Sequence, residues 1–596
     1  VGEDAETVWL RDVYRPDEPN LTLRGIIAGI LIGFVMSLSN IYVFFKTGWS
    51  LGVTLTACIL AFAVFKVLEA FGARPLGVLE NNALTTVASG AGYMTAGGNA
   101  AAFGALVMVT TAHPNKVGLV AWFGIIAALG VFVAIPIKRQ LINRERLAFP
   151  TGTATAETIK TIHTAGGGKG TSAAKALGIA ALLAGALTVV RDYLKWIPGQ
   201  WAPGLQIAGH DLVKWTITIK TELVLIGAGA LMSFRTGWSM LLGALVNYVV
   251  IAPALFEHGL VKQIGNKPVS YAAIIDWTLW PGAAILVGAG LTSFALDYKT
   301  IARAFTGLGA VFDARRRAEP AAGIAAVEAP DWWFPAGLLL LTPAIVALMY
   351  LMFDIPVWAA LLAVPLAVLM GFVASRVTGE TDVTPTKALG PVTQMIYGAI
   401  TPGNLTGNIM AANVTGGIGL HAADLLTTLK TGWLLGARPR HQVYAQLFGV
   451  LAGAAIIVPL FYVVVPIAQL GTDEWPAPSA VVWANVSKAF AGGIDALPDS
   501  AKFAIAIGLA LGIGLTLLDK AAPSTMRRFL PSPSAIGLAM VVPFSNSLSF
   551  FLGAAIAELI RRRYRRLEPY TVPVASGLIA GESLVAIAIT IATTVA

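Results

Sequence analysis

Apolar runs long enough to cross a bilayer recur along almost the whole chain, each closed by a short polar turn. A hydrocarbon core about 30 Å thick needs about 20 apolar residues in helical form. Runs of that kind stand at 23–45, 51–71, 117–137, 173–193, 272–296, 334–353, 357–377, 442–470, 501–518, 536–560 and 572–590. The stretch 222–256 reads as two spans broken at 235–237. The pattern predicts an all-α, polytopic membrane protein with about 14–16 transmembrane or re-entrant helices. The short alternating segments of a membrane β-barrel are absent.

Three stretches break the apolar pattern without ending it. Residues 401–442 (TPGNLTGNIMAANVTGGIGLHAADLLTTLKTGWLLGARPRHQ) are rich in Asn, Thr and Gly, as are 77–107 (GVLENNALTTVASGAGYMTAGGNAAAFGALV). Residues 148–160 (AFPTGTATAETIK) carry Thr and Glu on a helix that Pro150 can open, since the first turn needs no N–H there. Hydrocarbon offers amides and hydroxyls no partner, so such stretches must line a wet cavity or pack inside protein. The run 77–107 reads as a broken helix or a re-entrant segment plus a span. Gly25, Gly29 and Gly33, four apart, predict a face for close helix packing.

Composition sharpens this picture. Of 596 residues 56% are hydrophobic and 12% charged, about half the charged share of a soluble domain; mean hydropathy is +0.74. The net charge of +9 would suggest nucleic acid in a soluble protein. Here the basic residues sit in short loops at 138–146, 315–317, 438–440, 527–528 and 561–566. That is the positive-inside bias, which places these loops in the cytoplasm and removes nucleic acid as a partner. The expected partners are the lipid bilayer and a small solute, and the reading leaves room for a homo-oligomer. Four segments follow: a polar N-terminal tail at 1–20, a first half of the transport domain at 21–300, a polar linker at 301–331, and a second half at 332–596. The tail carries no signal-peptide pattern, and the chain opens at Val1, as a trimmed sequence would.

Several chemistries are excluded. GGGKGTS at 166–172 lacks the spacing of a phosphate-binding loop, so ATP is not the expected energy source. There is no H-E-x-x-H and no G-x-S-x-G, and the six His residues are scattered, so neither an enzyme nor a metal centre is expected. Cys58 is a lone apolar-helix residue. What remains is a set of polar groups in apolar surroundings. Asn81, Asn82, Asn404, Asn408 and Asn413 are candidates for hydrogen-bonding a substrate, the competing role being glue between helices. Lys430, which opens a KTGW also found at Lys46, is a candidate for a substrate carboxylate, or else snorkels to the interface. Glu80, Glu157, Asp424 and Glu582 are candidate proton-coupling groups, because a carboxylate inside a membrane is expensive to keep ionised; the competing role is a buried ion pair or a cap. Asp382, ahead of Pro385, reads as a cap.

Glu157 and Glu582 end the related patterns TGTATAE and SGLIAGE, each following a basic cluster and a Pro, and suggest internal duplication of the kind many transporters show. Lys160 stands three positions after Glu157 as a helix-surface partner. No charged residue follows Glu582, and none nearby in sequence is available to pair with it, so it is the sharper proton-carrier candidate.

The chain resembles the oligopeptide transporter (OPT) family, which includes the yellow-stripe-like transporters. The resemblance rests on NIYVFFKTGWSLG (40–52), LENNALTTVASG (79–90), LAFPTGTATAE (147–157), GETDVTPTKALGPVTQ (379–394), NLTGNIMAANVTGG (404–417), ADLLTTLKTGWLLGARPRHQ (423–442), SPSAIGLAMVVPFSNSLSFFLG (532–553) and ASGLIAGESL (575–584). LGARPRHQ stands where the peptide-transporting branch has a Lys-Ile-Pro-Pro-Arg run, so the prokaryotic, yellow-stripe-like side is the closer fit. The resemblance implies secondary active import of small oligopeptides or peptide-like metal chelates, with the proton gradient as energy source and no cofactor, in the cell membrane. One proton crossing ~100 mV supplies roughly 2.3 kcal/mol and one pH unit about 1.4. Together they support roughly 500-fold accumulation of a neutral solute. The alternative is a passive channel for small polar solutes, distinguished by flux that neither saturates nor runs uphill.

Overall fold

A computed structural model describes residues 5–47, 50, 52–110, 114–164, 171–261, 270–296, 323–471, 475, 477–490 and 499–595. Linker residues 301–322, most of the GGGKGTS stretch and the Lys46 side chain lie outside the described residues. Among the described residues, ten helices are long and apolar enough to cross a membrane, and shorter or interrupted helices fill the space between them. The protein is all-α and polytopic. Its only described strands form two two-stranded ribbons in the 195–221 excursion, Gln200–Trp201 against Ile219–Lys220 and Gln206–Ile207 against His210–Asp211.

At the centre stands Leu405–Leu435, a 31-residue helix buried along its whole hydrophobic window. It takes over the polar stretch that lipid could not accept. Val357–Thr381, Lys116–Lys138, Thr386–Ile400 and Gly97–Val109 pack around it. One packing group joins helices between residues 23 and 164 to helices between 333 and 490. The other joins Thr171–Thr188, Leu223–Leu231, Phe234–Leu245 and Tyr271–Leu296 to Asp499–Ala521, Pro533–Ala539, Phe544–Arg563 and Glu568–Val595. Each group therefore draws on chain from both sides of the linker.

Small residues set the closest approaches. The Gly25/Gly29/Gly33 face lies on Val78–Gly92, where a Cβ on Gly33 would stand 2.6 Å from that of Ala91. The run 77–107 is indeed broken: Val78–Gly92 passes through a 3₁₀ turn, Tyr93–Thr95, into Gly97–Val109. Gly97 takes φ +51 at the break, a conformation that costs a residue with a side chain about 1 kcal/mol or more. Gly98 then crosses the central helix at Gly416 so closely that a Cβ would sit 2.8 Å from the Gly416 carbonyl carbon.

Two expectations shift. The single span expected at 536–560 is Pro533–Ala539 and Phe544–Arg563, separated at Pro543. The expected break at 235–237 falls at Met232–Ser233, leaving Leu223–Leu231 only nine residues long, about 14 Å and too short to cross. The N-terminal tail is also more than a soluble extension. Ala5–Asp12 is a helix with Trp9 buried and stacked on Trp433 at 4.1 Å, and Glu6 holds Arg139 and Asn143.

Candidate functional site

Interrupted helices leave backbone ends inside the molecule, and here those ends meet. A cavity of about 220 Å³ is walled by Gly52, Gly97, Thr151, Val224 and Thr386, each at the N-terminal end of a helix. The wall continues through Thr378 and Asp382 at the C-terminal end of Val357–Thr381, through Val541 and Val542 at the Pro543 break, and through Asp424 and Thr427 of the central helix. Helix N-termini carry partial positive charge; those at Thr151 and Val224 already meet Asp382 and Glu582, and the ends at Gly52, Gly97 and Thr386 favour anionic groups of a ligand. Two carboxyl groups in the same wall favour cationic ones.

Asp424 is 5% exposed. One oxygen accepts from the Ser89 hydroxyl at 2.5 Å, the other from the Gln446 amide at 2.6 Å. Among the described residues it has no ion pair, so only neutral donors hold it. Asp382 sits at φ +64 just past its helix. Its carboxylate accepts from the Thr151 backbone N–H at 2.8 Å and the Thr151 hydroxyl at 2.6 Å. The expected cap is thus real, but the helix it caps, Pro150–Thr164, lies 231 positions earlier in the chain.

The other candidates fall elsewhere. Glu582 is not unpaired: it meets Arg191 at 2.8 Å and accepts from the Val224 N–H at 2.7 Å. That corrects the expectation that no charge stands near it, because the partner comes from a distant helix end. Glu80 is likewise committed, to Arg24 and the Thr22 hydroxyl. Glu157 is half-buried and has no hydrogen-bond or ion-pair partner among the described residues; the expected pairing with Lys160 is not formed.

None of the five asparagines lines the cavity. Asn404 caps the central helix through the Gly407 N–H and donates to the Phe353 carbonyl. Asn408 donates to the Gln394 carbonyl at 2.6 Å. Asn413 joins Trp122, Gly98 and Asn99, and Asn99 reaches His421, all inside the fold. Asn81 meets the Cys58 carbonyl and His163. Asn82 is buried with both amide atoms unpartnered among the described residues. Lys430 is buried three residues beyond Thr427 and, like the asparagines, is not itself a wall residue of the cavity. Asp382, Thr151 and the N-terminal end at Val224 are the wall residues that reading along the chain misses. The signal was present in TDVTPT (381–386), a polar run between two apolar ones.

A family model described as OPT oligopeptide transporter protein matches residues 20–593. This chain belongs to the OPT family. Its similar relatives include the iron-phytosiderophore transporter YSL15 of Oryza sativa subsp. japonica, 25% identical over 98% of this chain and 93% of the relative. The iron-phytosiderophore transporter yellow stripe 1 of Zea mays is 25% identical over 95% and 89%. The metal-nicotianamine transporter YSL2 of Oryza sativa subsp. japonica is 25% identical over 96% and 92%. This OPT protein is therefore a multi-pass membrane transporter and not an enzyme. Among its described residues no three His, Cys, Asp or Glu side chains are grouped to hold a metal ion.

Proposed function

We propose that the protein is a secondary active, proton-coupled importer of the cell membrane that takes up peptide-like metal chelates or small oligopeptides. The observation that carries this reading is Asp424: a buried carboxyl, held only by neutral donors, in the wall of the cavity. Such a group can gain or lose a proton without breaking an ion pair, and a charged substrate beside it changes which form is favoured. The ring of helix N-termini suits substrate carboxylates, and Asp382 with Asp424 suits substrate ammonium groups. That combination fits amino-acid-like ligands, which peptides and the chelators named in the relatives share. A chelated metal arrives with its coordination supplied, so it needs no ligand cluster from the protein. The cavity is smaller than the ~300–1,000 Å³ of ordinary ligand pockets, and widens to admit such a substrate.

The test is uptake into proteoliposomes under an imposed gradient, acid outside, with Ni(II)–nicotianamine and with trialanine. The expected result is saturable, uphill accumulation of at least one of them that a protonophore abolishes. Non-saturable flux that never exceeds equilibrium and ignores the gradient would instead make the protein a passive pore.

A further inference from the structure

The central helix carries one cation with nothing to neutralise it. Lys430 is 8% exposed, yet among the described residues its ammonium has no hydrogen-bond or ion-pair partner. The side chain is largely enclosed while its Nζ keeps some access to open space, and a cation held there with no anion beside it is an incomplete site. The neighbours of Lys430 along the helix, Leu429 and Thr431, are buried with it, so it is packed among protein rather than lipid. Its position is defined from two directions. Along the helix it stands three residues after Thr427, a cavity wall residue, or about 4.5 Å further on. Across the helix pair, its Cβ faces Gly152, the neighbour of wall residue Thr151. A second cation, Arg146, stands four residues before Pro150, where the helix that packs on the central one begins; it is exposed and also has no partner among the described residues. Of the carboxylates on adjoining elements, Glu145 is held by Arg376 and Asp382 by Thr151, while Glu157, on the helix that carries Gly152, makes no ion pair with Lys430 among the described residues.

We propose that Lys430 and Arg146 form an anion subsite at one end of the cavity, which receives a carboxylate of the substrate and selects for ligands that carry one. This rests on the transporter reading above. Lys430 is the specificity-determining residue, holding the carboxylate from an enclosed position. Arg146, on the exposed loop expected at the cytoplasmic side, adds positive charge at the end of the subsite towards which substrate leaves. A substrate whose carboxylate reaches Lys430 spans past Thr427 and leaves its other end beside Asp424, so the protein grips both ends of an amino-acid-like molecule.

The test is binding to the purified full-length protein, followed by ligand-induced thermal stabilisation, with trialanine, its C-terminal amide and Ni(II)–nicotianamine as probes. The parent binds the acid form about tenfold or more tightly than the amide, as the loss of a charge-assisted contact implies. Lys430→Met removes that preference and weakens Ni(II)–nicotianamine by a similar factor, Lys430→Arg keeps much of it, and Arg146→Gln narrows it. Should Lys430→Met fail to fold, the exposed Arg146→Gln carries the test. Equal binding of acid and amide by the parent, or an undiminished preference in the variants, overturns the subsite while leaving the transporter reading standing. No binding of any probe by the parent contradicts both.

Discussion

The residue that matters most, Asp424, differs from its fellow carboxylates only in its neighbours. Glu80 and Glu582 have arginines, whereas Asp424 has Ser89 and Gln446. Sequence puts Glu582 ahead of the others, because a carboxylate among apolar residues announces burial but not a partner that is distant along the chain. Arg191, the partner of Glu582, comes from the π-helical end Val189–Tyr193 of another helix, and no spacing along the chain relates the two. The asparagines are no easier to sort from sequence: Asn408 and Asn413 bond across helices, Asn404 caps its own helix, and Asn82 has both amide atoms unpartnered among the described residues. Glu582→Gln is therefore expected to act on stability. It breaks an ion pair whose side chains are both 6% exposed, but Arg191 keeps Asp192, so the cost should be about 2 kcal/mol, that of a lost charge-assisted hydrogen bond. The measurement is the thermal unfolding midpoint in detergent, with gradient-driven accumulation per folded molecule kept close to parent. A variant as stable as the parent but uncoupled would return Glu582 to the proton path.

At the scale of elements, breaks were easier to read than their purpose. The Gly-rich run 77–107 signals an interruption, and Pro150 signals a helix start, because both follow from local backbone chemistry. What the breaks build together depends on tertiary packing: five helix N-termini meeting at one cavity, supplied by segments spread from residue 52 to residue 386. The crossing of Gly98 over Gly416 holds one of those breaks against the central helix. Gly98→Leu should thus abolish monodisperse, folded protein, because backbone stands where its Cβ would go. Gly178→Leu, at a helix position with nothing within 4 Å, should be tolerated. Size-exclusion profiles of the two variants check this, and similar profiles for both would mean the crossing is looser than described.

At the scale of the whole molecule, the N-terminal helix and the last described part of the linker close over the same helix ends. Glu6 binds Arg139 and Asn143, Lys138 binds Glu328, and Arg440 donates to the Glu328 carbonyl. Burial raises the Glu6 pKa, but the hydrogen bonds from Arg139 and Asn143 and the charges of Arg139 and Lys138 outweigh it and hold it below the usual glutamate range. A depressed pKa adds stability that is present above the unfolded value of about 4.3 and is lost as pH falls through the folded one. Amide exchange across residues 5–12 should accordingly rise sharply on acidification below about pH 4. Glu6→Gln should show fast exchange already at neutral pH and no acid transition. Exchange in the parent that is flat with pH would mean that Trp9 stacking alone fixes the helix.

The account as a whole rests on Asp424 coupling protons to substrate. Proteoliposomes holding parent or Asp424→Asn, with trialanine or Ni(II)–nicotianamine, allow counterflow exchange and gradient-driven uptake to be measured on the same preparation. Asparagine keeps the shape and can still accept from Ser89, but it does not titrate. The expected result is exchange within a few-fold of the parent together with loss of accumulation under an imposed proton gradient. A variant that concentrates substrate under that gradient as the parent does would contradict the coupling role and, with it, the central claim.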